Sequence, residues 1–199
     1  ELNRTNQTLL QEVNHRVKNN LSSILGLIYA EKRRIDDQNI AGCEPVLDDL
    51  SYRVQSLAAA HSMLSAREWR PLQLSELVEE VVRAAIPAGA DLQDMVVEVT
   101  SAPVLVSAPQ AHHLALVIGE LTTNSVKYGT NEGGLTVRVD VSVEDGQISL
   151  TYADSGPGYP REVRTGEQRS VGLELVDTIV AYSLRGRSVL RNEARSEER

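Results

Sequence analysis

No proline interrupts the chain from Leu2 to about Arg34, and within that run Leu10, Val13, Val17, Leu21, Ile24 and Ile28 recur at spacings of three and four. The pattern predicts one long amphipathic helix whose apolar stripe must be covered by something else. A second run, Leu47, Leu50, Val54, Leu57, His61 and Leu64, alternates three and four strictly, which is the seam spacing of packed helices. Between the two, Asp36 to Pro45 holds Asp36, Asp37, Gly42 and Pro45, all turn or helix-start chemistry, so the helices are expected to be antiparallel neighbours. Such a hairpin encloses little interior. A second copy completing a four-helix bundle would cover both stripes, and a homodimer is the expectation.

The pattern changes after Pro71. Leu72 to Ile86 is again amphipathic and ends at Pro87-Ala88-Gly89, and a domain boundary is placed near Arg67 to Pro71, giving a helical hairpin over 1–68 and a second domain over 69–199. Met95 to Thr100 and Val104 to Ser107 read as short strands, and Pro109 opens a helix running to about Tyr128. Leu135 to Val143 alternates apolar and polar residues, Asp145-Gly146 supplies a hairpin turn, and Gln147 to Ala153 returns beside it. A last helix from Val171 to about Leu184 precedes an expected strand at Ser188 to Leu190 and a charged tail from Asn192 to Arg199. The predicted class is α+β: an antiparallel helical hairpin followed by an α/β sandwich with its helices on one sheet face.

Composition narrows the function classes. A hydrophobic share of 41% is enough to bury a normal core, whereas 20 Lys and Arg against 28 Asp and Glu leave a net charge of −8, which opposes attraction to nucleic acid or an anionic membrane. The longest apolar stretch, near Leu21 to Ala30, is broken by serines and falls short of the roughly 20 residues a membrane-spanning helix needs. Cys43 has no second cysteine to pair with, so nothing in the fold relies on an oxidising compartment, and a cytoplasmic location is expected. The chain opens at Glu1 already in helical pattern, with neither Met nor a leader, and reads as a segment of something longer.

Three stretches carry chemistry. On the first helix, Glu12-Val13-Asn14-His15-Arg16-Val17-Lys18-Asn19-Asn20-Leu21 places His15 about 140° from the apolar stripe, close to Asn19 and Glu12. An exposed neutral imidazole is a nucleophile toward a phosphoryl group; Asn19 is placed to orient the ring or the phosphate, and Glu12 to accept a proton. The same pattern also fits an ordinary solvated face. Further on, Glu120, Asn124 and Lys127 share one helix face, offering an acid, an oxygen ligand for a hard cation and a charge for phosphate, as Mg²⁺-triphosphate requires, or else forming a plain surface turn. Finally, Asp154-Ser155-Gly156-Pro157-Gly158 follows a strand and Ser170-Val171-Gly172-Leu173-Glu174-Leu175 opens a helix. A carboxylate at a strand end can accept from the exocyclic amine of a base, and glycines admit close backbone approach to phosphate, although turns after strands often look the same.

In this order the stretches resemble the phosphoacceptor box, N box, G1 box and G2 box of sensor histidine kinases, specifically the HisKA_2-like subfamily whose acceptor segment reads His-Arg-Val-Lys-Asn-Asn-Leu, joined to an ATP-binding domain of the Bergerat type shared with gyrases and Hsp90 chaperones. The similarity runs from Leu9 to about Leu190. It implies ATP and Mg²⁺ as ligands, His15 as phosphoacceptor, Asn124 as Mg²⁺ ligand and Asp154 as the adenine-reading carboxylate. Glu120, Lys127 and Tyr128 match the rest of the N box, while Gly156, Gly158, Gly172 and Leu173 border a lid over Tyr159 to Val171 that contains Arg161, Arg164 and Arg169. It also implies a response regulator receiver domain as the partner that takes the phosphoryl group.

Three departures from the family pattern stand out. Arg16 follows the acceptor where the commonest histidine kinases have an acid, Glu174 replaces a second G2 glycine, and the glycine-threonine turn that usually leads to the closing strand is missing. A serine kinase of the anti-sigma-factor type and a non-catalytic dimeric scaffold remain the alternatives. His61 on the second seam and the adjacent His112 and His113 read as structural, and Trp69 as an anchor at the domain junction.

Overall fold

The computed structural model describes Val17, Leu21, Ile28 and residues 44–86, 95–100, 102–129, 134–168 and 170–192, with 44 and 45 as backbone only. Val17, Leu21 and Ile28 are helical and grow more buried along the stripe, from 36% exposure at Val17 to 6% at Ile28. The link to the second helix lies outside the described residues. The first complete helix, α1 (Glu44–Ala66), carries the second seam and ends in a tight turn through Arg67 to Arg70. β1 (Leu72–Gln73) and α2 (Leu74–Ala85) follow, then β2 (Met95–Thr100), β3 (Leu105–Val106) and the long α3 (Ala108–Tyr128). β4 (Leu135–Glu144) and β5 (Gln147–Asp154) form a hairpin, succeeded by the short α4 (Arg161–Thr165), α5 (Val171–Thr178) and a π turn at Ile179–Ser183.

The main sheet is ordered β2-β4-β5, with β4 parallel to β2 and antiparallel to β5. β4 shows the period-two logic plainly: Leu135, Val137, Val139 and Val141 are buried while the residues between them are not. Asp145 and Gly146 both adopt positive φ, 51° and 75°, the twist that lets a two-residue turn join antiparallel strands. Helices α2 and α3 pack on one face of this sheet. Leu77, Val78, Val81 and Val82 of α2 meet Ala111, Ala115 and Ile118 of α3 in a single core. α3 begins at a sequence-encoded start: the Gln110 side chain accepts from both the Ser107 backbone N–H (2.9 Å) and the Ser107 hydroxyl (2.8 Å), and Pro109 sits where no N–H is needed.

The helical segment does not stand apart. Ala60 and Leu64 of α1 are fully buried in the core shared with α2, α3 and β4, and Gly119 of α3 lies so close to Ser56 of α1 that a Cβ there would collide with the serine hydroxyl. The seam residue His61 is 3% exposed, with its ring edge-on to Trp69 at 5.3 Å and tilted against His112 at 6.3 Å. Trp69 thus anchors the junction.

Several sequence expectations need correction. Leu72 and Gln73 do not start a helix: they pair with Val106 and Leu105 as a two-residue ladder, because the backbone leaving the turn is extended and β3 lies alongside. The expected strand from Val104 shortens to Leu105–Val106, and the last helix becomes α-helical only to Thr178 before widening into the π turn. Ser188 to Leu190 form no strand. That segment is drawn instead toward α5 and the π turn, by Gly186 N–H to the Val180 carbonyl (2.8 Å) and by the Ser188 hydroxyl to Asp177 (2.5 Å). No described helix is long and apolar enough to cross a membrane.

Because Leu64 belongs to the same core as Ile118 and Val139, Leu64→Ala should destabilise the whole described fold by about 2–5 kcal/mol. The expected result is a single urea transition with its midpoint lowered, read by far-UV circular dichroism.

Candidate functional site

The second half of α3 is the spine of the site. Its packing leaves Glu120, Asn124 and Lys127 on the flank between α1 and α5, at spacings of one and two turns. Neither charged residue of this flank faces open solvent alone. Glu120 is 7% exposed and takes a forked contact from Arg53 of α1, Nε to Oε1 at 2.5 Å and Nη2 to Oε2 at 3.3 Å. That charge-assisted bond is the main reason the Arg53 guanidinium is held above its ordinary pKa, against the opposing effect of burial. Lys127 pairs with Asp49, one turn earlier on α1, with both side chains partly open to water. Between them the Asn124 amide nitrogen is buried without a hydrogen-bond partner among the described residues.

The strand-end loop meets α3 further along. Asp154 closes β5, and its two carboxylate oxygens each accept one bond, from the Ser125 hydroxyl (2.7 Å) and from the Gly156 backbone N–H (2.8 Å). Each oxygen retains lone-pair capacity for a further donor. Gly156 packs against the backbone of Gly129 just past α3, where a Cβ would stand 2.6 Å from the Gly129 Cα. The loop is tied to β4 by paired bonds between Ser155 and Thr136, both 2.9 Å. Gly158 holds φ +80° and faces Asn192, whose side-chain amide accepts from the Tyr159 N–H (3.0 Å) and donates to the Tyr159 carbonyl (2.9 Å).

Beyond Tyr159 the segment leading to α5 contains α4, capped by Gly166 at φ +86° and bearing the exposed Arg161 and Arg164. α5 then begins at an N-cap, Ser170, whose hydroxyl accepts from the Leu173 N–H (3.3 Å). Gly172 sits directly against Glu120, and a Cβ there would collide with the carboxylate. Leu173 is buried at 5% exposure, and Glu174 lies in the first turn, where an acid complements the helix dipole. A cavity of about 360 Å³ is lined by Val117, Leu121, Tyr152, Leu173, Val176 and Leu190 among others, so Leu173 borders it as well as the site.

The structure therefore brings Glu120, Asn124, Lys127, Asp154, Gly156, Gly158, Gly172 and Leu173 together around one end of α3. Tyr128 is 71% exposed at the rim. His15, Glu12, Asn19 and Arg169 lie outside the described residues. Four participants were not singled out by sequence reasoning: Asp49, Arg53, Ser125 and Asn192. Asp49 and Arg53 stand off the apolar seam of their helix at ordinary surface spacing, and Asn192 is remote in sequence, so no local signal marks them.

Comparison with known proteins agrees with this architecture. A histidine kinase family model of the HisKA_2 type matches residues 12–88, and the model of histidine kinase-, DNA gyrase B- and HSP90-like ATPases matches residues 110–198. The chain is thus built of a histidine kinase segment of the HisKA_2 type followed by a histidine kinase-, DNA gyrase B- and HSP90-like ATPase segment. It is 29% identical over 188 residues to the sensor histidine kinase PdtaS of Mycobacterium tuberculosis H37Rv, covering 92% of this chain and 36% of the relative. Likewise it is 29% identical over 194 residues to a blue-light-activated histidine kinase of Rhizobium johnstonii, covering 90% of this chain and 48% of that protein. The chain thus spans between a third and a half of the length of these relatives. The histidine kinase domain of Erythrobacter litoralis EL346 shares the fold, with a TM-score of 0.53 at 22% identity over 87% of this chain and 82% of that one.

Burial pushes the Tyr152 phenol up to about 12 from its ordinary value of 10, outweighing its bonds to Ser125 and Thr122. The folded protein keeps a proton there that the unfolded chain releases above pH 10. Stability from this group is intact below pH 10 and is lost as pH rises toward 12, by on the order of 3 kcal/mol. Tyr152→Phe should flatten that alkaline loss in urea melts at stepped pH.

Proposed function

We propose that this chain is the kinase core of a sensor histidine kinase, binding Mg²⁺-ATP at the end of α3 and phosphorylating His15. The observation that carries the reading is the convergence on α3 of segments distant in sequence: Ser125 bonds the strand-end Asp154, and Glu120 abuts the helix-start Gly172. Asp154 would accept from the adenine amine with its remaining lone pairs, while Gly156, Gly158 and Gly172 leave room for the nucleotide. The unsatisfied Asn124 amide fits a metal-ligand slot, since its oxygen and nitrogen exchange places by a flip that breaks no bond to the nitrogen. A Mg²⁺ ion held there would be bound by this one amide together with phosphate oxygens and water. Such an ion, when bound, neutralises phosphate charge.

In the reaction an imidazole nitrogen of His15 forms the N–P bond as the bond from the γ-phosphorus to the β–γ bridging oxygen breaks, and ADP departs. Glu12 is the candidate acceptor of the ring proton, Asn19 orients ring or phosphate, and Lys127 and a lid arginine supply charge. The phosphoryl group then passes to an aspartate of a response regulator receiver domain. The working unit is a homodimer in the cytoplasm, receiving its signal from an upstream sensor domain.

The test is incubation with Mg²⁺ and γ-labelled ATP. Acid-labile label on the native chain, absent in His15→Gln and reduced at least tenfold in Asn124→Ala, is expected. Acid-stable label would point to a serine kinase instead, and no label together with no ATP binding to a scaffold.

A further inference from the structure

Both charged members of the α3 flank are held by the same neighbouring helix. Arg53 and Asp49 are one turn apart on α1, and they engage Glu120 and Lys127, which bracket Asn124 on α3. The two contacts differ in character. The Arg53–Glu120 fork is sheltered, with 27% and 9% of the two side chains exposed, so it is a persistent tether. The Asp49–Lys127 pair is open to water at 45% and 32%, and a half-exposed pair of this kind contributes little stability and exchanges readily. Gly119 against Ser56 sets the helices close enough for both contacts to form together.

From this we infer that α1 is a built-in competitor for the nucleotide: Asp49, positioned by the Arg53–Glu120 tether, occupies the ammonium of Lys127 that a triphosphate would otherwise take. The inference rests on the reading of the α3 flank as the Mg²⁺-ATP site. A carboxylate and a triphosphate drawn to the same ammonium repel each other and share its charge, so nucleotide binding disfavours the Asp49 contact, and that contact weakens nucleotide binding by the same factor. Displacement is local because the sheltered tether does not have to break. The Glu120 carboxylate also rests on Gly172 at the start of α5, so the tether links α1 to the far border of the lid as well as to the flank itself. Asp49 and Arg53 are accordingly positioning residues.

The experiment measures the affinity of the full chain for a non-hydrolysable ATP analogue with Mg²⁺ by titration calorimetry, so that binding is read apart from phosphoryl transfer. Asp49→Asn keeps the size of the side chain and removes its charge. It should tighten binding about fivefold or more, within the usual range of coupling between sites, with an unchanged far-UV spectrum. Lys127→Gln should weaken binding, and adding Asp49→Asn to it should give no gain, since the competed group is gone. In turnover, Asp49→Asn should lower the KM for ATP and leave kcat alone. If the native chain binds the analogue but Asp49→Asn binds it no more tightly, or the gain persists without Lys127, the competition is refuted while the ATP site stands. If neither binds, the ATP reading itself fails and the competition with it.

Discussion

Helix α3 is asked to satisfy three neighbours at once, and the rest of the structure follows from how it does so. One face buries Ala111, Ala115 and Ile118 against the sheet and α2. A second side accepts α1 at van der Waals distance because residue 119 has no side chain. A third packs Val117 against Val176 and Ile179. With apolar and small residues spent on those contacts, the polar positions left over fall on one flank and at the C-terminal end. Helical geometry alone then gathers an acid, an amide and a cation within two turns. These candidate residues sit on a helix packed on three sides, which fixes their spacing better than a loop would.

The electrostatics of that flank depend on α1 as much as on α3. A carboxylate that is 7% exposed demands a partner, and no other element of the described structure supplies the fork that Arg53 does. Glu120 therefore depends on the position of α1 as well as on its own helix. Asp154 is treated differently: it is satisfied by a hydroxyl and a backbone N–H, with no ion pair among the described residues, so it keeps the acceptor capacity that reading a base needs.

Much of this was legible in the sequence where the signal is local. The alternation from Leu135 and the Asp145-Gly146 dipeptide gave the hairpin, because strand period and turn conformation are both set within a few residues. The spacing of Glu120, Asn124 and Lys127 gave their common face for the same reason. What escaped depended on contacts across the chain. The ladder of Leu72 with Val106 needs β3 in place, and the coil at Ser188 follows from a bond to Asp177 that no spacing rule anticipates. Arg53, too, looks like any surface arginine until α3 is laid beside it. Function was easier to read than partners, since a motif is a statement about neighbours in sequence and an ion pair 67 residues apart is not.

The turn leaving α1 carries a mechanical consequence. Glu68 and Trp69 adopt φ of 54° and 63°, consecutive left-handed residues that are not glycine, and such conformations persist only where surroundings over-determine them. Here Trp69 is held by its backbone N–H, which donates to the Leu64 carbonyl (2.8 Å), and by the rings of His61 and His112. The joint between helix and sheet is thus a clamped pivot with no slack to absorb a twist. A push on the distant end of α1 is therefore passed along the helix to its contacts with α3, and of the two ion pairs there the open Asp49–Lys127 one yields before the sheltered Arg53–Glu120 fork.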